Sequence, residues 1–398
     1  MIKDPLSPDL PQNAYKLPSL EMSSMGHDSE FFLWDTRKQQ VVPSYLYYPM
    51  QDAAKSWKVY KKKFKQRYKK PSPTVYSWAR EVTPSVTSYN TPVKIFRDGL
   101  AVEVNVSPGG CRAYMWNDTK GTLLKGEPPR MAKHLAFTTR PWVAVTPKMM
   151  DKFPPDLKTL GCVPALDAYK QKQKVVSVDP EKTFFRTAGA HLHMSFQGFS
   201  AAEPVPQECW SPFIKLADAT LGLASVAIFG DKLERARRKL YGQAGEFRFQ
   251  ASYGGLEYRA LSSRIWDHQA LWSLFAGIWK YALGGALYRD MWRKYDLAWQ
   301  DDIQQAINEV DPDMAFKLLE TTKPLLQLPD WNYTPTTVTK TDLPSICKKL
   351  RELFLRGFFP DCGVWSRPWA PEGHAGFKEY WTHWCKEAPE NIRDNYGI

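Results

Sequence analysis

Residues 188–196 read AGAHLHMSF and place two of the chain's seven histidines one residue apart in a small-residue, apolar setting. On a β-strand side chains alternate between faces, so His191 and His193 project together while Leu192 and Met194 project the other way. Two convergent imidazoles suit a metal or a phosphate; the alternative is a pair of core or surface histidines satisfied by their neighbours. The strand reading gains weight because three more strand-like segments carry polar residues at i and i+2. They are Asp28 and Glu30 in GHDSEFFLWD, Glu103 and Asn105 in DGLAVEVNVS, and Glu257 and Arg259 in GGLEYRAL. Each pair falls on a single sheet face.

Outward from these segments the chain divides into three. Residues 1–25 are Pro- and Ser-rich without periodicity and read as an N-terminal arm. Residues 26–266 alternate short strand-like runs with helical patterns such as PFIKLADATLGLASVAIF, which predicts an α+β core built on a mainly antiparallel sheet. Within it DKLERARRKLYG reads as a helix closing on Gly242, with cations near its C-terminus. Residues 267–398 read as a helical, Trp-rich region, in which LWSLFAGIWKYALGGALY is a buried helix and GVWSRPWAPEGHAGFKEYWTHWC packs back on the body.

The chain has 398 residues, of which 43% are hydrophobic and 14% aromatic, and that composition excludes wholesale disorder. The N-terminus lacks an apolar signal-peptide core and no run of 18 apolar residues occurs, so the expectation is a cytoplasmic protein with no membrane span. Six cysteines without a C-x-x-C pair argue against a zinc ribbon or a disulfide framework. The net charge of +12 draws polyanions, and much of it sits in KSWKVYKKKFKQRYKK at 55–70. There Trp57, Tyr60, Phe64 and Tyr68 recur every three to four residues. Basic residues interleaved with aromatics can grip single-stranded nucleic acid, but that spacing also gives a helix whose aromatics cover the core and whose lysines are solvated. The second reading is favoured.

Glu103 and Glu257 lie in apolar sequence, where an unpaired ionised carboxylate costs several kcal/mol or titrates to neutrality. Positive charge is therefore expected beside them. Carboxylates with one or two histidines suit Mg²⁺ or Mn²⁺, and Arg186, Arg248 and Arg259 accompany the same segments. Metals held by carboxylates beside guanidinium groups are what a nucleoside triphosphate requires. Neither a Walker loop nor a G-x-G-x-x-G after a strand is present, so phosphates would be held by metal and side chains.

These motifs resemble those of glutamine synthetases. GHDSEFFLWD is similar to G-x-E-x-E-F-F-L-x-D, AGAHLHMSF to S-G-x-H-x-H-M-S, and GLEYR to R-x-E-x-R, in the same order along the chain. Together with D-G-x-x-V-E-x-N, the L-G-C at 160–162, R-T-A-G-x-H-x-H and Y-G-x-A-G-x-x-R, the pattern looks most like the phage-encoded carboxylate-amine ligases of the second type. These belong to the glutamine synthetase and glutamate-cysteine ligase superfamily. The resemblance covers residues 26–266 and implies a curved antiparallel catalytic sheet with ATP and Mg²⁺ or Mn²⁺ as cofactors. It also implies small-molecule or peptide carboxylates and amines as substrates. By position, Asp28, His191 and Glu257 would hold one ion on the nucleotide phosphates, and Glu30 and Glu103 another near the acceptor carboxylate. His193 and Arg186 would lie near the nucleotide, Arg248 and Arg259 would stabilise the transferring phosphoryl group, and Glu103 would also stand at the chemistry. Asp28 stands where the synthetases have Glu, and Gly255 where they have Arg. A nucleic-acid-binding protein, or an inactive structural or assembly protein of a phage, is the alternative. The first would not need Asp28, Glu30, Glu103 and Glu257 aligned on one face, and the departures at Asp28 and Gly255 leave the second open.

Overall fold

The computed structural model describes residues 23–46, 93–109, 134–153, 165–174, 182–196, 201–204, 210–279, 300–326 and 343–356, with a few isolated positions between them. The basic run at 55–70, the arm up to residue 22 and the Trp-rich tail at 363–385 lie outside the described residues.

Twelve strands occur among the described residues: β1 (Ser23–Asp35), β2 (Gln40–Val42), β3 (Val93–Asp98), β4 (Ala101–Gly109), β5 (Leu135–Thr138), β6 (Trp142–Ala144), β7 (Ala165–Asp167), β8 (Lys172–Lys174), β9 (Phe185–Thr187), β10 (Ala190–Phe196), β11 (Glu246–Gln250) and β12 (Gly255–Tyr258). Ten of them form one open sheet in the order β3-β4-β1-β10-β12-β11-β7-β8, with β2 and β5 paired to β1. All its pairings are antiparallel. The remaining two, β6 and β9, make a separate small sheet. The fold is thus α+β with a mainly antiparallel sheet. β2 ends at Val42 and a 3-10 turn follows at Ser44–Leu46. Pro43 supplies no N–H to continue the ladder.

β1 organises the sheet because it is long enough to have different partners at its two ends. Its first half lies between β4 and β10, and its second half, from Phe32, pairs with β5 and β2. It begins at Ser23, so the last three residues of the expected arm belong to the sheet. Odd-numbered Phe31 and Leu33 enter the main hydrophobic core with Leu192, Met194, Leu256 and Tyr258 from the neighbouring strands. Even-numbered Phe32 and Trp34 enter a second cluster with Val143, Val145, Met150 and Phe153. The even face upstream of Phe32 carries Asp28 and Glu30, and this is where the site lies.

Helices cover the opposite face. The short α1 (Pro147–Met150) is the exception, its Met150 packing in the second cluster with Phe32 and Trp34; it is followed by α2 (Trp210–Ala217), a π-helical turn at Asp218–Gly222, and α3 (Leu223–Phe229). This continuous segment, Trp210–Phe229, is long and apolar enough to cross a bilayer, but its most apolar 18-residue stretch is 89% buried inside the fold, as in a core helix. Then come α4 (Lys232–Arg238), capped by the Asp231 carboxylate, α5 (Gln269–Gly277), α6 (Gln300–Glu309), α7 (Pro312–Leu326) and α8 (Leu343–Leu355). Both α7 and α8 pack on α3. Ile303, Leu319 and Leu350 share the core with Leu192 and Leu256, so one hydrophobic cluster runs across residue 266. Beneath β1, Trp266 stacks on Trp272 at 4.0 Å and on Trp116 at 5.6 Å, and its indole N–H donates to Ser29 Oγ at 2.7 Å.

The π-helical turn brings Asp218 to the back of β12. Its carboxylate accepts from the Tyr258 hydroxyl at 2.7 Å and from the Gly245 N–H at 2.6 Å. Burial raises the Asp218 carboxyl to about 7, against the pull of these donors. Asp218→Ala leaves two buried donors without an acceptor. It should lower unfolding free energy by about 3 kcal/mol, while Tyr258→Phe should cost about 1 kcal/mol. Chemical denaturation checks both, and equal effects would contradict the shared-acceptor account.

Candidate functional site

The strand register aligns the sequence-derived residues across five strands. Glu30 pairs with Glu103, Asp28 with Asn105 on one side and His191 on the other, His193 with Glu257, and Glu257 with Arg248. Directly paired residues project to the same face, so Asp28, Glu30, Glu103, His191, His193, Arg248 and Glu257 share one surface of the sheet. Asp98 joins them from the end of β3, beside the tight turn at Gly99 and Leu100 that returns the chain into β4.

Two groups of ligand-capable atoms result. One atom each from Asp28, His193 and Glu257 lies within 4.8 Å of the others, and so do atoms from Glu30, Asp98 and Glu103. His193 Nε2 is 2.8 Å from Asp28 Oδ1, and His191 Nδ1 is 3.2 Å from that same oxygen and 3.4 Å from Glu257 Oε1. Glu257 is fully buried; it pairs with Arg259, accepts from Gln250, and has Arg248 Nη1 at 3.9 Å. Glu30 Oε2 accepts from the Gly189 N–H at 2.7 Å.

Arg186 stands elsewhere. It lies on β9 opposite Val143, and its guanidinium donates to the carbonyls of Thr183 and Phe185. It is held there by the separate small sheet, whereas Arg248 and Arg259 extend from the sheet that carries the acids.

Two glycines make close approaches at the site. A Cβ at Gly189 would lie 2.8 Å from His191 Nε2, so the bulkless residue lets the imidazole lie against the backbone. A Cβ at Gly255 would lie 2.2 Å from the Met194 carbonyl and 2.4 Å from the Tyr253 ring. No arginine fits there, and the Tyr253 ring stacks over His193 at a centroid distance of 5.9 Å instead.

The carboxylates do not share one electrostatic state. Burial pushes Asp28 up, but the imidazoles of His193 and His191 outweigh it and hold this carboxyl below its usual range. Burial pushes His193 down, and the Asp28 carboxylate more than reverses that. Glu30 is raised to about 8 by burial and by Asp98, against the Gly189 N–H. Glu257 is raised to about 7 by burial and by Asp28. Burial and the surrounding acids put Glu103 well above the ordinary value, and burial also raises Asp98. Without a cation the cluster holds protons that an exposed cluster would release. Oxygen donors with an imidazole, short of positive charge, match the preferences of Mg²⁺ and Mn²⁺, so the residues present fit such ions.

No protein-family model matches the chain, and no curated protein sequence matches it.

Asp98 was missed by sequence reading although it begins the quoted D-G-x-x-V-E-x-N motif, because an Asp before Gly reads first as a turn residue. Tyr241 was missed too: its hydroxyl lies 3.2 Å from His191 Nε2. It belongs to the Y-G-x-A-G-x-x-R motif, but nothing local shows which way a tyrosine at a helix end points.

A pH dependence follows. Buried His27, His191 and His268 are held neutral down to about 3, against 6.5 when unfolded, so they add stability as pH rises to 6.5. Glu30 and Glu257, with folded values of about 8 and about 7 against 4.5, remove stability as pH rises from 4.5 to those values. Above 6.5 only the loss remains, so the metal-free protein should weaken from pH 6.5 toward pH 8. Mg²⁺ should raise the melting temperature more at pH 8 than at pH 6, since metal and protons compete. Thermal melts in EDTA and in Mg²⁺ check this; a flat or rising metal-free profile from pH 6.5 to 8 contradicts it.

Proposed function

We propose that the protein is an ATP- and Mg²⁺-dependent ligase that joins a carboxylate to an amine through an acyl phosphate, on a sheet of glutamine-synthetase-like type. The observation that carries this reading is the convergence of two acidic groups and two arginines on one face of an antiparallel sheet, on the strands where the motif resemblance places them. Asp28 and Glu257 with an imidazole of the histidine pair would hold one divalent ion, and Glu30, Asp98 and Glu103 a second. When bound, these ions neutralise phosphate oxygens and polarise the γ-phosphoryl group.

A carboxylate is a poor electrophile, and ATP supplies the missing activation. An acceptor carboxylate oxygen attacks the γ-phosphorus, the bond to the β-phosphate oxygen breaks and ADP departs. The amine then attacks the acyl carbon, the C–O bond to phosphate breaks, and inorganic phosphate leaves as the nitrogen loses a proton. Arg248, half-buried at the edge of the acids, is placed to meet charge on the transferred group. Arg259 is buried against Glu257 and fixes that carboxylate. Neither step needs a protein nucleophile; positioning and charge stabilisation suffice. The acids argue against nucleic-acid binding by this face, since carboxylates repel phosphates in the absence of metal.

The test is an ADP-release screen with pooled amino acids and amines, with mass spectrometry of any amide formed. Mg²⁺-dependent ADP release with a new amide is expected. Glu103→Gln and Arg248→Met should each lower turnover by about 100-fold while leaving the fold intact. Absence of Mg²⁺-dependent ATP binding would overturn the reading.

A further inference from the structure

Glu30 and Gly189 are bonded to each other twice. The Glu30 N–H donates to the Gly189 carbonyl at 2.9 Å, and the Gly189 N–H returns to Glu30 Oε2 at 2.7 Å. One carboxylate oxygen of the second acidic group is thus already taken by the backbone just before β10. How that N–H is aimed depends on the two peptide units that meet at Gly189.

The Ala188 carbonyl and the Gly189 N–H belong to one planar trans unit, so they point in opposite directions and fixing the first aims the second. Arg237, fully buried on α4, donates from Nε to that carbonyl at 2.9 Å. Its Nη1 donates to the Ala260 carbonyl at 3.0 Å and its Nη2 to that of Leu261 at 2.7 Å, so the guanidinium plane cannot turn away. A bond accepted at the carbonyl of an amide polarises it and strengthens the bond that its own N–H donates. The cation therefore acts on Glu30 through a single peptide unit. The next unit is held as well. The Ser263 hydroxyl, buried at the start of the 3-10 turn Ser263–Trp266, donates to the carbonyls of Glu30 and Gly189, the latter at 3.0 Å. The Ala190 N–H donates to the Leu261 carbonyl at 3.1 Å. A Cβ at Gly189 would lie 3.1 Å from Arg237 Nη2, so the guanidinium packs directly on this backbone.

We propose that Arg237 and Ser263 are positioning residues for the second ion: gripping the carbonyls on either side of the Gly189 N–H, they fix that N–H on Glu30 Oε2 and leave Oε1 as the oxygen offered to the cation. This rests on the proposed function, which takes Glu30, Asp98 and Glu103 as the holders of that ion. It adds two residues to which the motif resemblance gives no role.

Titration of the full chain with Mn²⁺, followed by electron paramagnetic resonance, tests it. Glu103→Gln identifies which affinity belongs to the second ion. Ser263→Ala and Arg237→Gln should each weaken that ion by about 10-fold and leave the one at Asp28 and Glu257 within about threefold of wild type. Nitrogen-15 NMR of the metal-free protein should show a downfield Gly189 amide proton that moves upfield in both variants. In the unaltered protein this proton should stay downfield when Mg²⁺ is added, a measurement that remains if a variant fails to fold. An unchanged second affinity in Ser263→Ala, equal weakening of both ions, or an upfield move of the wild-type Gly189 proton on adding Mg²⁺ would each overturn this inference alone. A wild-type protein that binds fewer than two Mn²⁺ would overturn the proposed function together with it.

Discussion

Asp28 lies at the centre of the sheet, opposite Asn105 on one side and His191 on the other, with its Oδ1 shared by His191 and His193. It takes up the charge that the site can accommodate, and neighbouring acids respond by holding protons. Burying carboxylates this close together is unfavourable in a folded protein, since desolvation and mutual repulsion add. The surrounding structure is arranged against that cost. Imidazoles flank Asp28, Arg259 pairs with Glu257, and a backbone N–H from Gly189 reaches Glu30. A cluster kept at such a disadvantage without metal gains most when a divalent cation enters.

The back of the sheet supplies the rigidity that this arrangement needs. Leu192 and Met194 alternate with the histidines, and Leu256 and Tyr258 with Glu257, so each strand that presents a polar group to the site anchors it in the core. Asp218 reaches through the helical layer to hold Tyr258 and Gly245, fixing the β11–β12 hairpin that carries Arg248 and Glu257. Arg237 ties the residue before β10 to those after β12. The spacing between histidines and glutamate is therefore set by groups that never enter the site.

Much of this was legible in the sequence because strand periodicity is local. Polar residues at i and i+2 in apolar segments predict both strand and face, and Asp28, Glu30, Glu103, His191, His193 and Glu257 do share one face. What was not legible depends on contacts between distant segments. Arg237 and Arg238 read as cations closing a helix on Gly242, yet α4 ends at Arg238 and both side chains turn inward. Their partners are the carbonyls of 188, 260 and 261, the hydroxyl of Ser225 and the carbonyl of Gly242. Arg186 read as a companion of the histidine pair because it is five residues away. The strand is interrupted at Ala188 and Gly189 between β9 and β10, which leaves Arg186 in another sheet. At Gly255, where the motif it resembles has arginine, the Met194 carbonyl and the Tyr253 ring fill the space, a constraint invisible until β10 and β12 are paired.

The central claim is that this face of the sheet is a two-ion nucleotide site. The most direct measurement is a crystal structure of the protein with Mn²⁺ and a non-hydrolysable ATP analogue, with the ions located by anomalous scattering. The account predicts one Mn²⁺ peak among Asp28, His193 and Glu257, a second among Glu30, Asp98 and Glu103, and the terminal phosphate between them facing Arg248. A nucleotide bound elsewhere, or no manganese on this face at saturating concentration, would contradict it.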